Sequence, residues 1–121
     1  MAKILIVEDN PANLKLASFL LTRVGHTVLS AVDAESGMAR AIAEQPDLIL
    51  MDIQLPGMDG LKATSLLKRN LATSAIPIIA LTALAMKEDE GKAIEAGCDA
   101  YIAKPPRYQE LYAAIDALLA R

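Results

Sequence analysis

The sequence predicts one α/β domain, a doubly wound (βα)5 fold whose five parallel strands run in the order 2-1-3-4-5. Two observations point there. Short runs that are apolar throughout, such as Ile4–Val7, Leu48–Met51 and Ile76–Leu81, alternate with segments of helical periodicity. Strands apolar on both faces and separated by helices imply a parallel sheet covered on both sides. Crossovers in such sheets are right-handed, which leaves few topologies.

The elements follow in order. Ile4–Val7 is the first strand and stops abruptly at Glu8-Asp9. Asn10-Pro11 then supplies a helix N-cap and a proline for the first helical position. Leu14, Ala17, Leu21 and Val24 follow at helical spacing, and Gly25 is the stop. Thr27–Ala31 is a weaker strand. Asp33 caps a helix through about Glu44 that Pro46 closes, and Leu48–Met51 leads to Asp52. The loop from Ile53 to Gly60 opens a helix near Leu61–Asn70. Ile76–Leu81 is the fourth strand, ending at Thr82, and its helix runs to Gly97. Ala100–Ala103 is the last strand, ending at Lys104-Pro105-Pro106, and the last helix sets Leu111, Ile115, Leu118 and Leu119 on one face.

Composition narrows the function classes. The chain has 121 residues, 54% hydrophobic and only 3% aromatic, which predicts a single domain with an aliphatic core. Net charge is -3, and the 12 Lys and Arg form no run longer than Lys68-Arg69, so direct nucleic-acid binding is not expected. One cysteine, Cys98, cannot make an internal disulfide, which fits an intracellular, cytoplasmic protein. Cys98 reads as a small buried hydrophobe and the lone histidine, His26, as a surface loop residue. The opening apolar stretch is too short for a signal peptide, and no segment approaches the ~20 apolar residues of a membrane span.

Chemistry concentrates at strand ends. Four of the five strands end in polar residues of complementary type: Glu8-Asp9, Asp52, Thr82 and Lys104. In an open parallel sheet ligands bind beyond the carboxyl ends of the strands. The order 2-1-3-4-5 gathers these residues at one rim and leaves the weak second strand at an edge. For one position, a charged residue ending a strand means only that the chain leaves the core. Five such positions, absent from the strand that should not contribute, are not explained that way.

Three carboxylates in one cleft resist joint ionisation, and a divalent cation removes the conflict. Hard oxygen ligands, few in number, suit Mg²⁺, with Mn²⁺ as a possible substitute, better than a calcium cage or zinc. Glu8 and Asp9 are assigned to the metal, with Asp52 as a shared ligand. A carboxylate can attack phosphorus to give an aspartyl phosphate, and Asp52, on the central strand, is the candidate. The cation, the Lys104 ammonium and the Thr82 hydroxyl would each take one phosphoryl oxygen.

At this point the chain resembles the response-regulator receiver family of two-component signalling, over essentially its whole length. The resemblance is carried by Val7-Glu8-Asp9-Asn10, Met51-Asp52, Leu55-Pro56-Gly57-Met58-Asp59-Gly60, Leu81-Thr82-Ala83 and Lys104-Pro105. It implies a flavodoxin-like receiver fold and Mg²⁺-dependent phosphotransfer to Asp52 from a histidine kinase or histidine phosphotransfer protein. It implies a phosphoprotein that signals through a downstream partner and is not an enzyme beyond its own phosphorylation and slow dephosphorylation.

The same resemblance implies a metal contact from the Gln54 backbone carbonyl, an aromatic switch at Tyr101, a small residue over the phosphate at Ala83 and a cis Lys104–Pro105 bond. It implies an output surface on the fourth helix, last strand and last helix, for which Leu84, Ala85, Met86, Tyr101, Pro105 and Pro106 are the candidates. The resemblance also implies that dephosphorylation is tuned two residues after the acceptor, at Gln54, and two after Thr82, at Leu84. An apolar Leu84 cannot orient an attacking water, so a phosphoryl lifetime longer than in fast-cycling motility receivers is expected. Glu8 stands where many members have Asp. Pro106 replaces a larger residue and is expected to shift or stiffen the start of the last helix.

The opening motif and Asn13 resemble DivK-type single-domain regulators and the receivers of hybrid kinases. The expectation is one receiver domain over residues 1–121, monomeric or weakly dimeric, with no effector attached. A receiver cut from a hybrid kinase, or a phosphorelay shuttle, is the nearest alternative. A phosphohydrolase with an aspartyl-phosphate intermediate wants a general acid where Gln54 stands. A flavodoxin-like cofactor carrier wants a Gly/Ser/Thr phosphate loop where Glu8-Asp9-Asn10-Pro11 stands.

Overall fold

A computed structural model describes residues 2–83 and 87–121, with the backbone alone for 87–89. Five strands and five helices alternate: β1 (Lys3–Val7), α1 (Pro11–Arg23), β2 (Thr27–Ala31), α2 (Ala34–Glu44), β3 (Leu48–Asp52), α3 (Gly60–Arg69), β4 (Ile78–Thr82), α4 (Lys87–Ala96), β5 (Ala100–Ala103) and α5 (Tyr108–Leu119). All pairings are parallel, as the apolar runs predict, and the order is β2-β1-β3-β4-β5, the expected one.

The sheet's two faces explain why its central strands are apolar throughout. On one side Ile4, Ile6, Leu48, Leu50, Ile79 and Leu81 pack with Ala17, Leu20 and Leu21 of α1 and with Leu111, Ile115 and Leu118 of α5. On the other, Leu5, Val7, Ile49, Met51 and Ile78 pack with Ala34 and Ala41 of α2 and with Ala63 and Leu67 of α3. Every residue of β3 and β4 is buried, whereas in β2, at the edge, Thr27 and Ser30 are exposed, Val28 and Leu29 half-buried and only Ala31 buried. Burying such aliphatic side chains contributes about 1.5–3 kcal/mol each. The edge position of β2 is why its pattern is weak in the sequence.

Helix boundaries follow the caps. The Asn10 side chain accepts from the N–H groups of Ala12 and Asn13, with Pro11 in the first turn. Asp33 and Asp59 cap α2 and α3 through Ser36 N–H and Lys62 N–H. Gly25 and Gly97, after α1 and α4, have φ of 92° and 108°, where a glycine carries no Cβ penalty.

Four expectations need correction. The fourth strand begins at Ile78, not Ile76, because Ile76 N–H bonds back to Thr73 O and Pro77 has no N–H to give a neighbour. Val24 is not on the buried face: the helix ends at Arg23, Val24 is its exposed C-cap, and Leu20 fills the core instead. The third helix starts one residue earlier, at Gly60. His26 is half-buried and its Nδ1 accepts from Ala2 N–H at 3.3 Å, so it is more than a surface loop residue. Cys98 is half-buried between two apolar clusters. The last helix begins at Tyr108, two residues beyond Pro106, and Arg107 gives it no side-chain cap.

Candidate phosphoacceptor and metal site

The carboxyl ends of β1, β3, β4 and β5 lie side by side, because β1 and β3 are neighbours and β4 and β5 continue the sheet. The register pairs Val7 with Met51, Asp52 with Leu81 and Thr82 with Ala103. Glu8 therefore follows a strand that adjoins the one ending at Asp52, and Lys104 follows the partner of Thr82. The chain places five polar residues from four segments around one rim.

The acids converge. One carboxylate oxygen from each of Glu8, Asp9 and Asp52 lies within 4.8 Å of the others. Glu8 and Asp52 are buried, at 2% and 1% exposure, and Asp9 is open to solvent. Lys104 Nζ stands 3.1 Å from Glu8 Oε1 and 3.1 Å from Asp52 Oδ2. Lys104 N–H also donates to Thr82 O at 2.7 Å, which fixes the start of the β5–α5 connection against the end of β4. The Lys104–Pro105 peptide bond is cis.

Charge crowding shows in the ionisation of these groups. Burial raises the Glu8 carboxyl above its ordinary range, and the neighbouring Asp52 carboxylate adds to the rise. Burial also works against the Lys104 ammonium, yet hydrogen bonds and charge from Glu8 and Asp52 outweigh it and hold Lys104 above its usual value. Among the described residues, the site sets three carboxyl groups against one ammonium, a charge balance that suits a further cation.

The residues fit a hard divalent cation. Three carboxylate oxygens in one cluster, with Asp9 on the solvent side, make the partial oxygen shell that Mg²⁺ uses while keeping waters. The Gln54 carbonyl lies on the same loop. Gln54 N–H donates to Asp52 Oδ1 at 2.9 Å, and Asn10 N–H donates to Glu8 Oε2 at 3.2 Å.

Two features escaped the sequence reading. Gly60 packs so closely under Asp52 that a Cβ there would strike the Asp52 carbonyl oxygen and come within 2.6 Å of Ile53 Cα. The Asp59-Gly60 pair is visible in the sequence, but what the glycine touches is not. The Gln54 side chain crosses to the next strand, where its Oε1 accepts from Ala83 N–H at 3.0 Å. Tyr101, on β5, is half-buried beside Ile53, Ala80 and Ala93. Pro106 lines a crevice with Leu16 and Ala17 of α1, next to Lys104. Leu84, Ala85 and Met86 lie outside the described residues.

A parallel sheet in this order, with an acidic trio and a lysine at its carboxyl rim, defines a class of protein, and sequence comparison agrees with it. The chain belongs to the response regulator receiver domain family, whose model matches residues 4–116. It is 44% identical over 110 residues to the polar-differentiation response regulator DivK of Brucella anthropi, covering 88% of this chain and 89% of that protein. It is 40% identical over 121 residues to the DNA-binding dual master transcriptional regulator RpaA of a Synechocystis species, and there spans only 50% of the relative's length. Among solved structures it matches the receiver domain of the sensor histidine kinase PA1611 of Pseudomonas aeruginosa, with a TM-score of 0.92 and 34% identity over 99% of this chain and 98% of that one. That structure carries a magnesium ion coordinated in its active-site cleft.

Proposed function

We propose that residues 1–121 form one receiver domain that accepts a phosphoryl group on Asp52 and switches the binding of a protein partner. The observation that carries this is the placement of Asp52, 1% exposed at the end of the central strand, between two further acids and the Lys104 ammonium. A carboxylate held there can attack phosphorus in line while its surroundings neutralise the charge that builds up.

The donor is a phosphohistidine on a histidine kinase or histidine phosphotransfer protein. An oxygen of Asp52 forms the new O–P bond as the N–P bond breaks, and the imidazole leaves. Lys104 Nζ holds one phosphoryl oxygen and the Thr82 hydroxyl another. Glu8, Asp9, Asp52 and the Gln54 carbonyl would hold Mg²⁺ or Mn²⁺, which when bound supplies positive charge to a phosphoryl oxygen. Leu16, 40% exposed, lines the crevice beside Glu8 and Lys104, and with Phe19 one turn further along α1, 59% exposed, offers a donor an apolar surface.

Output follows from a two-state equilibrium that the phosphoryl group biases. Thr82 is drawn to the phosphate, Ala83 leaves room above it, and Tyr101 turns into the vacated space. The surface of α4, β5 and α5, with Pro105 and Pro106 beside it, then changes its affinity for a downstream protein. The domain works as a monomer or weak dimer in the cytoplasm, without touching nucleic acid itself. A second reading keeps the chemistry and changes the setting: the likeness to a sensor-kinase receiver supports a domain within a hybrid kinase, or a shuttle in a relay.

The test is labelling with acetyl phosphate, with and without Mg²⁺, on wild type and Asp52→Ala. Label on Asp52 that needs the metal and is absent from the variant is expected. Label that persists in Asp52→Ala refutes the assignment.

A further inference from the structure

We infer that the Gln54 side chain is a latch on the phosphoryl site, holding the Ala83 amide until a phosphoryl oxygen takes its place. The inference rests on the phosphoacceptor reading above. Gln54 bridges Asp52 and the end of the next strand. Its N–H donates to Asp52 Oδ1 at 2.9 Å, and its Oε1 accepts from Ala83 N–H at 3.0 Å, 29 residues away in sequence.

Ala83 follows Thr82 directly at the end of β4, so its N–H sits at the rim that an incoming phosphoryl group would occupy. A fixed backbone N–H there is the kind of donor that stabilises developing negative charge. In the phosphate-free protein that donor is already used, by a neutral amide oxygen. A phosphoryl oxygen is charged and forms the stronger hydrogen bond, so exchange is favourable once it arrives. Gln54 and Ala83 are both exposed, and the released amide returns to water at little cost. The latch therefore acts as a brake on the forward reaction, set by the strength of one exchanged hydrogen bond. For a net bond of ordinary strength the brake amounts to roughly three- to tenfold.

The test compares wild type with Gln54→Met, which keeps the bulk but cannot accept the Ala83 amide, and with Gln54→Ala. Two quantities are read. One is the Ala83 amide proton shift and exchange rate in the protein without metal or phosphodonor. The other is the rate of acetyl phosphate labelling at saturating Mg²⁺. In both variants the Ala83 proton should move upfield and exchange faster, and labelling should quicken by roughly three- to tenfold. An unchanged Ala83 amide in both variants, or labelling no faster than wild type with unaltered thermal melting, overturns the latch alone. Absence of label on Asp52 in wild type overturns the phosphoacceptor reading and the latch with it.

Discussion

Lys104 Nζ lies 3.1 Å from Asp52 Oδ2, and it is the cation that the described structure sets against the two buried acids of the site. Removing it leaves Glu8 and Asp52 facing each other without that compensation. A buried ion pair contributes little net stability when intact, but breaking it from one side is costly. Lys104→Met should lower unfolding free energy by on the order of 3 kcal/mol in metal-free buffer. Mg²⁺ should recover part of that loss, since a bound cation supplies the missing charge. Denaturant melts with and without Mg²⁺ decide it, and an equal loss in both buffers would contradict the assignment of the acids to a metal.

Gly60 and Gly91 make a matched pair. A Cβ at Gly60 meets the backbone of Asp52 and Ile53, which cannot move without displacing the Asp52 carboxylate. Gly60→Ala should cost about 1–3 kcal/mol and slow phosphorylation of whatever protein remains folded. Gly91 lies within α4 and a Cβ there meets nothing within 4 Å. Gly91→Ala should stabilise by about 0.5–1 kcal/mol, because alanine loses less backbone entropy in a helix. Thermal denaturation of the two variants should therefore shift in opposite directions.

Asp99 predicts an acid limb in the stability profile. It sits before β5, where its side chain accepts from Ile78 N–H at 2.9 Å and pairs with Lys68 and Arg121 at 3.0 Å each. Burial alone would raise this carboxyl, but those hydrogen bonds and the Lys68 charge outweigh it and hold it below the ordinary Asp range. A carboxyl lowered by folding contributes stability that is present above the unfolded-state value and is lost as pH falls through the folded one. Asp99→Asn should flatten the decline of unfolding free energy below about pH 4 while changing little of its slope near neutrality. A wild-type slope retained in the variant would move the acid limb to other groups.

Much of this fold is local physics and so was legible in the chain. Asn10-Pro11 and Asp33 mark helix starts because a cap acts over three residues, and the buried runs of β3 and β4 declare a doubly covered sheet. The misreadings sit where a neighbour decides. Ile76 is as apolar as Ile78, but a turn bond to Thr73 keeps it out of the strand. Val24 keeps helical spacing with Leu21, but the helix ends before it.

The sequence determined the alphabet of the site: which strands would end in acid, hydroxyl or amine, and hence what chemistry the rim could hold. Only the tertiary structure decided which groups meet. Lys104 and Glu8 are 96 residues apart and bond because strand order sets their ends together. The bridge from Gln54 to Ala83, and the fit of Gly60 beneath Asp52, depend on side-chain reach and backbone clearance across separate loops. Residue type and spacing encode propensity along the chain, whereas distances between such segments exist only once the sheet has closed.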